Sequence, residues 1–296
     1  MRRWWTAVAV GATAVLALAG CGVPAGVDRD LTDDWPAFPA VEGFVPEAGV
    51  CHATIQDVGY LSGYSPIDCS TSHRAETLHV GTLTGADAGR GAPPRAGSTG
   101  IRTARAECDR QVSKAVGADW RSGRLQLSVV FPSALAWSGG ARWFRCDLSE
   151  VTSLDDGSIT ARSDSLRDAL APGSPLALGC FEPKLSKDDI EEMRPVACTA
   201  KHHAEFVGIY PFPDVAYAEF QRNSLRAHKA CRGLIATYVK VPNNNDLQYR
   251  AGTIIYHPLE DQWKDGDRGV QCFLWVEDRT LTRSLKGAGN KGLPVR

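Results

Sequence analysis

Two apolar periods take turns along the chain, and the same succession recurs in its second half. Thr77 to Leu83 alternates with the period of two that a half-buried strand requires, and Phe206 to Tyr210 has the same strand character. Ala104, Cys108, Val112 and Ala115 recur every three to four residues, as do Ala227, Cys231, Leu234, Ile235 and Tyr238, so each set predicts a helix with a cysteine on its buried stripe. Beyond each helix, Leu125 to Phe131 and Thr253 to Tyr256 read as one strand, with Trp143 to Leu148 and Val270 to Val276 as its partner. The fold class expected from this succession is α+β, as two tandem copies of a small β-β-α-β-β domain in which one helix packs across an antiparallel sheet. The copies are expected over residues 47–152 and 175–280, with a linker at 153–174 and a flexible tail at 281–296. Residues 85–100, rich in Gly, Ala and Pro, predict an exposed loop inserted in the first copy.

A different pattern opens the chain. Arg2 and Arg3 precede an uncharged apolar run from Thr6 to Ala19, about 14 residues, which is short of the roughly 20 that a spanning helix needs. Residues 1–20 therefore read as a secretory signal peptide. Leu18, Ala19, Gly20 and Cys21 resemble the lipobox of bacterial lipoproteins, which implies lipidation at Cys21 and a membrane anchor on the extracytoplasmic face. Residues 21–46, polar and carrying Asp28, Asp30, Asp33 and Asp34, read as an extended tether. Removing the leader takes the net charge from −1 to −3, a balance that argues against nucleic acid as a partner.

Past Cys21 stand eight cysteines, an even number in an oxidising compartment, which is the arithmetic of a disulfide framework. Cys51 and Cys69 are 18 apart, and so are Cys180 and Cys198; Cys108 and Cys146 complete the first set, Cys231 and Cys272 the second. Other residues keep step. His73 and His202 stand four positions after the second cysteine of each set, and Glu76 and Glu205 seven after it. Pro132 and Pro258 are each followed by Trp137 or Trp263, Gly140 or Gly266, and Arg142 or Arg268 before the fourth cysteine. Such identities in register mark a duplication. The pairing expected is Cys51 with Cys69, Cys108 with Cys146, Cys180 with Cys198 and Cys231 with Cys272, although spacing alone leaves other pairings open. Each such loop is worth roughly 3–4 kcal/mol on chain-entropy arithmetic.

The pattern Cys-x3-His-x-Ala-Glu, a helix with a cysteine, and Pro-x4-Trp-x2-Gly-x-Arg-x3-Cys resembles the septum-formation domain of high-GC Gram-positive bacteria, and both copies carry it. The chain departs from the family at Ser72 and Lys201, where proline is usual, and at Ala141, where aspartate is expected. The resemblance implies a part in septum formation. With it goes the expectation of a non-catalytic interaction module that needs no cofactor or metal and meets envelope or division proteins, or cell-wall polymer.

The candidate chemistry lies at two repeated places. His73 with Glu76, and His202 with Glu205, could relay a proton or hold zinc, which would make the protein a wall-acting hydrolase or a metal-dependent enzyme. Against that, zinc wants three or four ligands, and strand alternation points each glutamate away from its histidine. The expected role of each histidine is to hold a turn by hydrogen bonds. Trp137 with Arg142, and Trp263 with Arg268, could form a sugar or peptide platform, but an internal cation–π pair shaping a hairpin is the favoured reading. His73, Trp137, Arg142, His202, Trp263 and Arg268 are thus the candidate binding residues, with no catalytic set. A small ligand held between the copies is a further option that the sequence does not grade.

Overall fold

The computed structural model describes residues 43–187 and 189–294; the leader, Cys21 and most of the tether lie outside the described residues. The first copy contains β1 (Val50–His52), β2 (Val58–Gly59), β3 (Ala75–Thr82), helix α1 (Thr99–Val116), β4 (Leu125–Pro132) and β5 (Trp143–Glu150). The second contains β6 (Cys180–Ser186), β7 (Asp189–Val196), β8 (Ala204–Pro211), helix α2 (Ser224–Val239), β9 (Gly252–Tyr256) and β10 (Gly269–Trp275). The fold is α+β. The strand orders are β1-β3-β5-β4-β2 and β7-β6-β8-β10-β9, so four central strands correspond and each copy adds a fifth at the opposite edge.

Those fifth strands depart from the β-β-α-β-β expectation. β2 is two residues long and pairs parallel with β4, too short to leave a periodic signature. β7 forms an antiparallel hairpin with β6 across a turn in which Lys187 takes a left-handed backbone, φ 57°. The Pro-to-Gly connections between the last two strands of each copy also contain a one-turn helix, Ala134–Ser138 or Glu260–Lys264.

Both helices form because an apolar stripe at four-residue spacing meets the sheet. Ala104, Cys108, Val112 and Val116 are buried on α1, and Ala227, Cys231, Ile235 and Val239 on α2. α1 stops at Gly117, whose φ of 89° places it in the left-handed region that ends many helices. The two buried helix cysteines are bonded to sheet cysteines, Cys108 to Cys146 and Cys231 to Cys272, at Cα separations of 5.4 and 5.3 Å. Cys51 and Cys69, and Cys180 and Cys198, close the loop before β3 and before β8, each at 5.1 Å.

Residues 85–100 are mostly exposed, as expected of an inserted loop, with only Gly100 fully buried, but the segments expected to be a linker and a tail are built into the core. Residues 85–100 begin with a helical turn, Gly85–Ala88, and the carbonyl of Arg90 accepts the indole N–H of Trp137 at 2.7 Å. The expected linker buries Leu166 and Leu170 against α1. The expected tail buries Leu281, Leu285 and Leu293 against α2. The reason is a further stretch of the repeat: Ser165-Leu166-x2-Ala169-x3-Gly173-x-Pro175 is matched by Ser284-Leu285-x2-Ala288-x3-Gly292-x-Pro294. Asp168 and Gly287 occupy equivalent positions in it, both at positive φ, and their N–H groups bond the equivalent helix carbonyls of Ala115 and Tyr238.

Ending the chain at Thr280 removes three buried leucines, each worth about 1.5–3 kcal/mol. Urea unfolding of that truncated protein should show the second copy destabilised by more than about 4 kcal/mol, whereas a trailing tail would leave the midpoint unchanged.

Candidate functional site

The repeated His/Glu corners lie where β3 and β8 begin. His73 Nδ1 bonds the carbonyl of Thr71 at 2.7 Å, and His202 Nδ1 bonds that of Ala200 at 2.8 Å, so each ring closes its own turn. His202 Nε2 comes within 3.3 Å of Glu205 Oε1, contrary to the strand-alternation expectation. His202 stands before β8 in an isolated bridge with Leu281, so the period of two does not govern the direction of its side chain. In the first copy His73 Nε2 meets no partner among the described residues, and Glu76 turns to Ser165 Oγ at 2.8 Å and the backbone N–H of Leu166.

Each glutamate is a clamp for the segment that follows its domain. Glu205 accepts from Leu285 N at 2.8 Å, Ser284 Oγ at 2.8 Å and Tyr238 OH at 2.7 Å. Burial, with Glu205 adjoining, pushes the Tyr238 phenol well above its ordinary range. Sulfur atoms also gather here, Cys51 and Cys69 beside Glu76 and Cys180 beside His202 and Glu205, but each is spent in a disulfide. What remains in either corner falls short of the three or four ligands of a zinc site. His73, Glu76, His202 and Glu205 are all at most 1 % exposed, and Glu76 lies at the bottom of a cleft lined also by Ile67, Asp68, Ser165 and Arg167.

The Trp/Arg hairpins are likewise turned inward. Arg142 stacks over Trp137 at 4.3 Å and Arg268 over Trp263 at 4.4 Å. Both indoles are buried, and Trp263 Nε1 donates to Val215 O at 2.7 Å. No indole face is left open for stacking at either hairpin, so the platform reading has no surface to stand on. Arg268 continues to Asp214, 2.6 Å away, and Asp214 also holds Arg102 of the first copy. These two guanidinium hydrogen bonds keep the Asp214 carboxyl down at about 2.

A polar chain that sequence reasoning missed crosses the far face of the first sheet. His52 Nε2 meets Thr77 Oγ1 at 2.9 Å, Thr77 donates to Asp147 Oδ1 at 2.7 Å, and Asp147 Oδ2 faces Arg145 Nε at 2.9 Å. All four residues are at most 3 % exposed, so the resemblance to a catalytic relay ends in a sealed core. In the second copy the equivalent positions are Phe181, Phe206 and Phe273, packed edge to face at 5.3 and 5.5 Å. The signal was present in the repeat: at positions 52, 77 and 147 one copy has polar residues where the other has phenylalanine. Burial, reinforced by Arg145 and His73, drives the His52 pKa down to about 4, and burial raises that of Asp147 against the pull of Arg145.

The departure at Ala141 has its counterpart in Asp267, which sits between the copies. Its carboxylate takes Arg105 at 2.7 Å on one oxygen and Arg121 at 2.8 Å on the other, both arginines belonging to the first copy. Gln271 Nε2 adds a bond to Arg121 O at 2.8 Å. Burial opposes the charge on Arg121, but Asp267, Asp109 and Asp119 outweigh it and strengthen its hold on the proton. Above this cluster opens a cleft of about 400 Å³ that both copies line.

A family model described as septum formation matches residues 48–272, which is more than half of the chain. No curated protein and no solved structure matches it.

His52 is neutral in the folded chain down to about pH 4, while the unfolded chain protonates it from about 6.5. Its contribution to stability is therefore complete above 6.5 and is lost as pH falls from 6.5 to 4. Asp147 works in the opposite sense, in the wild type and in a His52→Phe variant alike. Denaturation of the two proteins across that window should show a shallower acid decline for the variant; parallel curves would place the sensitivity elsewhere.

Proposed function

The chain belongs to the septum formation family, and from that membership we propose that it acts as a non-catalytic, lipid-anchored module on the outer face of the cell membrane during septum formation. The observation that carries the non-catalytic part is the burial of every repeated reactive residue. Each corner histidine spends its Nδ1 on its own turn, each glutamate is held by a Ser-Leu segment, and the tryptophans lie under arginines. A hydrolase needs its general acid or base within hydrogen-bond reach of a substrate, and these groups are inside. The attachment rests on the lipobox-like Leu18, Ala19, Gly20 and Cys21; among the described residues no helix is long and apolar enough to cross a membrane. The two acyl chains of a diacylglycerol on that cysteine would hold the protein stably where one acyl chain would not.

The partners proposed are division or envelope proteins, or wall polymer, met by the surface that the fused copies share. A fusion of the full chain to a fluorescent protein that folds outside the cytoplasm should gather at division sites. Cys21→Ala should release it from the membrane fraction. Uniform peripheral signal with normal division in a deletion strain would contradict the septal role, and a Cys21→Ala protein that stays with the membrane would contradict the anchor.

A further inference from the structure

The cleft between the copies exists only because they are locked together. One wall is the first copy, from Trp120 to Gln126 and along the turn at 151–157; the other is the second copy, from Tyr256 to Gln262 and along β10. Its two ends are tied across the copies. Asp267 holds Arg121 at the floor, while the Tyr256 hydroxyl donates to Asp155, whose other oxygen takes the N–H of Met193 at 2.9 Å. Those ties fix the spacing of the walls, so the cleft is formed in advance of any ligand, at a volume toward the small end of ligand sites.

The lining chooses among ligands by charge. Arg121 is the one Lys or Arg among the residues that line it, and its guanidinium is already given to Asp109 at 2.9 Å and Asp267 at 2.8 Å. No Lys or Arg is left to receive a phosphate or carboxylate, and the exposed Asp155 and Asp156 repel anions at the mouth. Apolar surface from Leu125, Val151, Leu154 and Pro258 alternates with the side-chain amides of Gln126 and Gln262. Gln262 Oε1 is engaged by the N–H of Leu259 at 3.0 Å, which leaves its Nε2 as the donor of that side chain. A sugar ring has that same mixture, with apolar C–H faces bounded by hydroxyl and acetamido groups that need amide and carboxylate partners.

We propose that this cleft binds an uncharged stretch of wall glycan, a short β-linked run of N-acetylated amino sugars. The assignment rests on the envelope reading above and names the polymer. The acetamido carbonyl takes a glutamine N–H, its methyl lies against Leu154 and Leu259, and ring hydroxyls donate to Asp155 and Asp156. A protein on an anchor beside growing wall would then hold the strand without cutting it.

The test is calorimetric titration of the full chain in detergent micelles with a β-1,4-linked N-acetylglucosamine tetramer. A poly(glycerol phosphate) of similar length serves as the anionic control and spermidine as the cationic one. Saturable binding of the tetramer and none of either control is expected. Gln126→Ala should weaken the tetramer at least tenfold, and so should Leu259→Asp, a change at a side chain 68 % exposed that the fold does not depend on. No tetramer binding, binding that neither variant alters, or tighter binding of either control would overturn the assignment. Fluorescent fusions separate it from the septal reading. Wild-type protein that binds no tetramer but gathers at septa refutes the cleft alone, and protein that binds it through Gln126 without gathering there refutes the septal role alone.

Discussion

The buried carboxylate of Asp267 joins the two copies, beside the more exposed ties that Asp214 makes to Arg102 and Asp155 to Tyr256. It is 2 % exposed and divided between two guanidinium groups of the other copy, Arg105 and Arg121. Taking three charges out of water is costly, and the cost is offset only if every oxygen and N–H finds a partner. Here Leu127 O, Asp109 and the Trp120 ring supply the rest of the lining around the arginines. The lock orients β10 against the 3-10 turn Trp120–Ser122, and the cleft above it inherits its shape from that orientation.

Duplication made this possible by letting matching positions diverge. Where the second copy has Asp267 the first has Ala141, a residue with no charge to satisfy, so the lock runs in one direction only. On the far face of the sheets the divergence runs the other way. The first copy carries a hydrogen-bonded His52–Thr77–Asp147–Arg145 chain, and the second fills the same place with three phenylalanines. Either solution fills the space under the strands; the polar one demands complete pairing and makes the first copy sensitive to acid. What did not diverge is the frame: two disulfides per copy, a buried glutamate holding a Ser-Leu pair, and an arginine stacked on a buried tryptophan.

How far this was legible in the sequence depends on whether a feature is local. The helix stripes around Cys108 and Cys231 sufficed for the α+β class, and the repeated cysteine intervals favoured the pairing seen while leaving other pairings open. The stacked Trp137–Arg142 and Trp263–Arg268 pairs follow from a fixed five-residue offset. The clamp on Glu76 and Glu205 was harder to see, since its partners lie about ninety and eighty residues downstream. Segments 153–174 and 281–296 carry two and three glycines, one proline each and no sustained apolar period, which mimics a linker and a tail. Comparing those two segments with each other would have revealed the shared Ser-Leu-x2-Ala-x3-Gly-x-Pro run. The lock at Asp267 was out of reach, because nothing in a repeat says how its copies dock.

The measurement that bears most directly on this account is calorimetric unfolding of an Asp267→Ala variant, in which the second copy takes the residue the first already has. Wild-type protein should unfold in a single cooperative transition. The variant, with Arg105 and Arg121 still buried but left to share Asp109 and Asp119, should lose about 3–5 kcal/mol and separate into two transitions, one per copy. A variant that still melts as one unit within about 1 kcal/mol of the wild type, a cost no larger than that of a typical exposed ion pair, would show that something other than this carboxylate joins the halves.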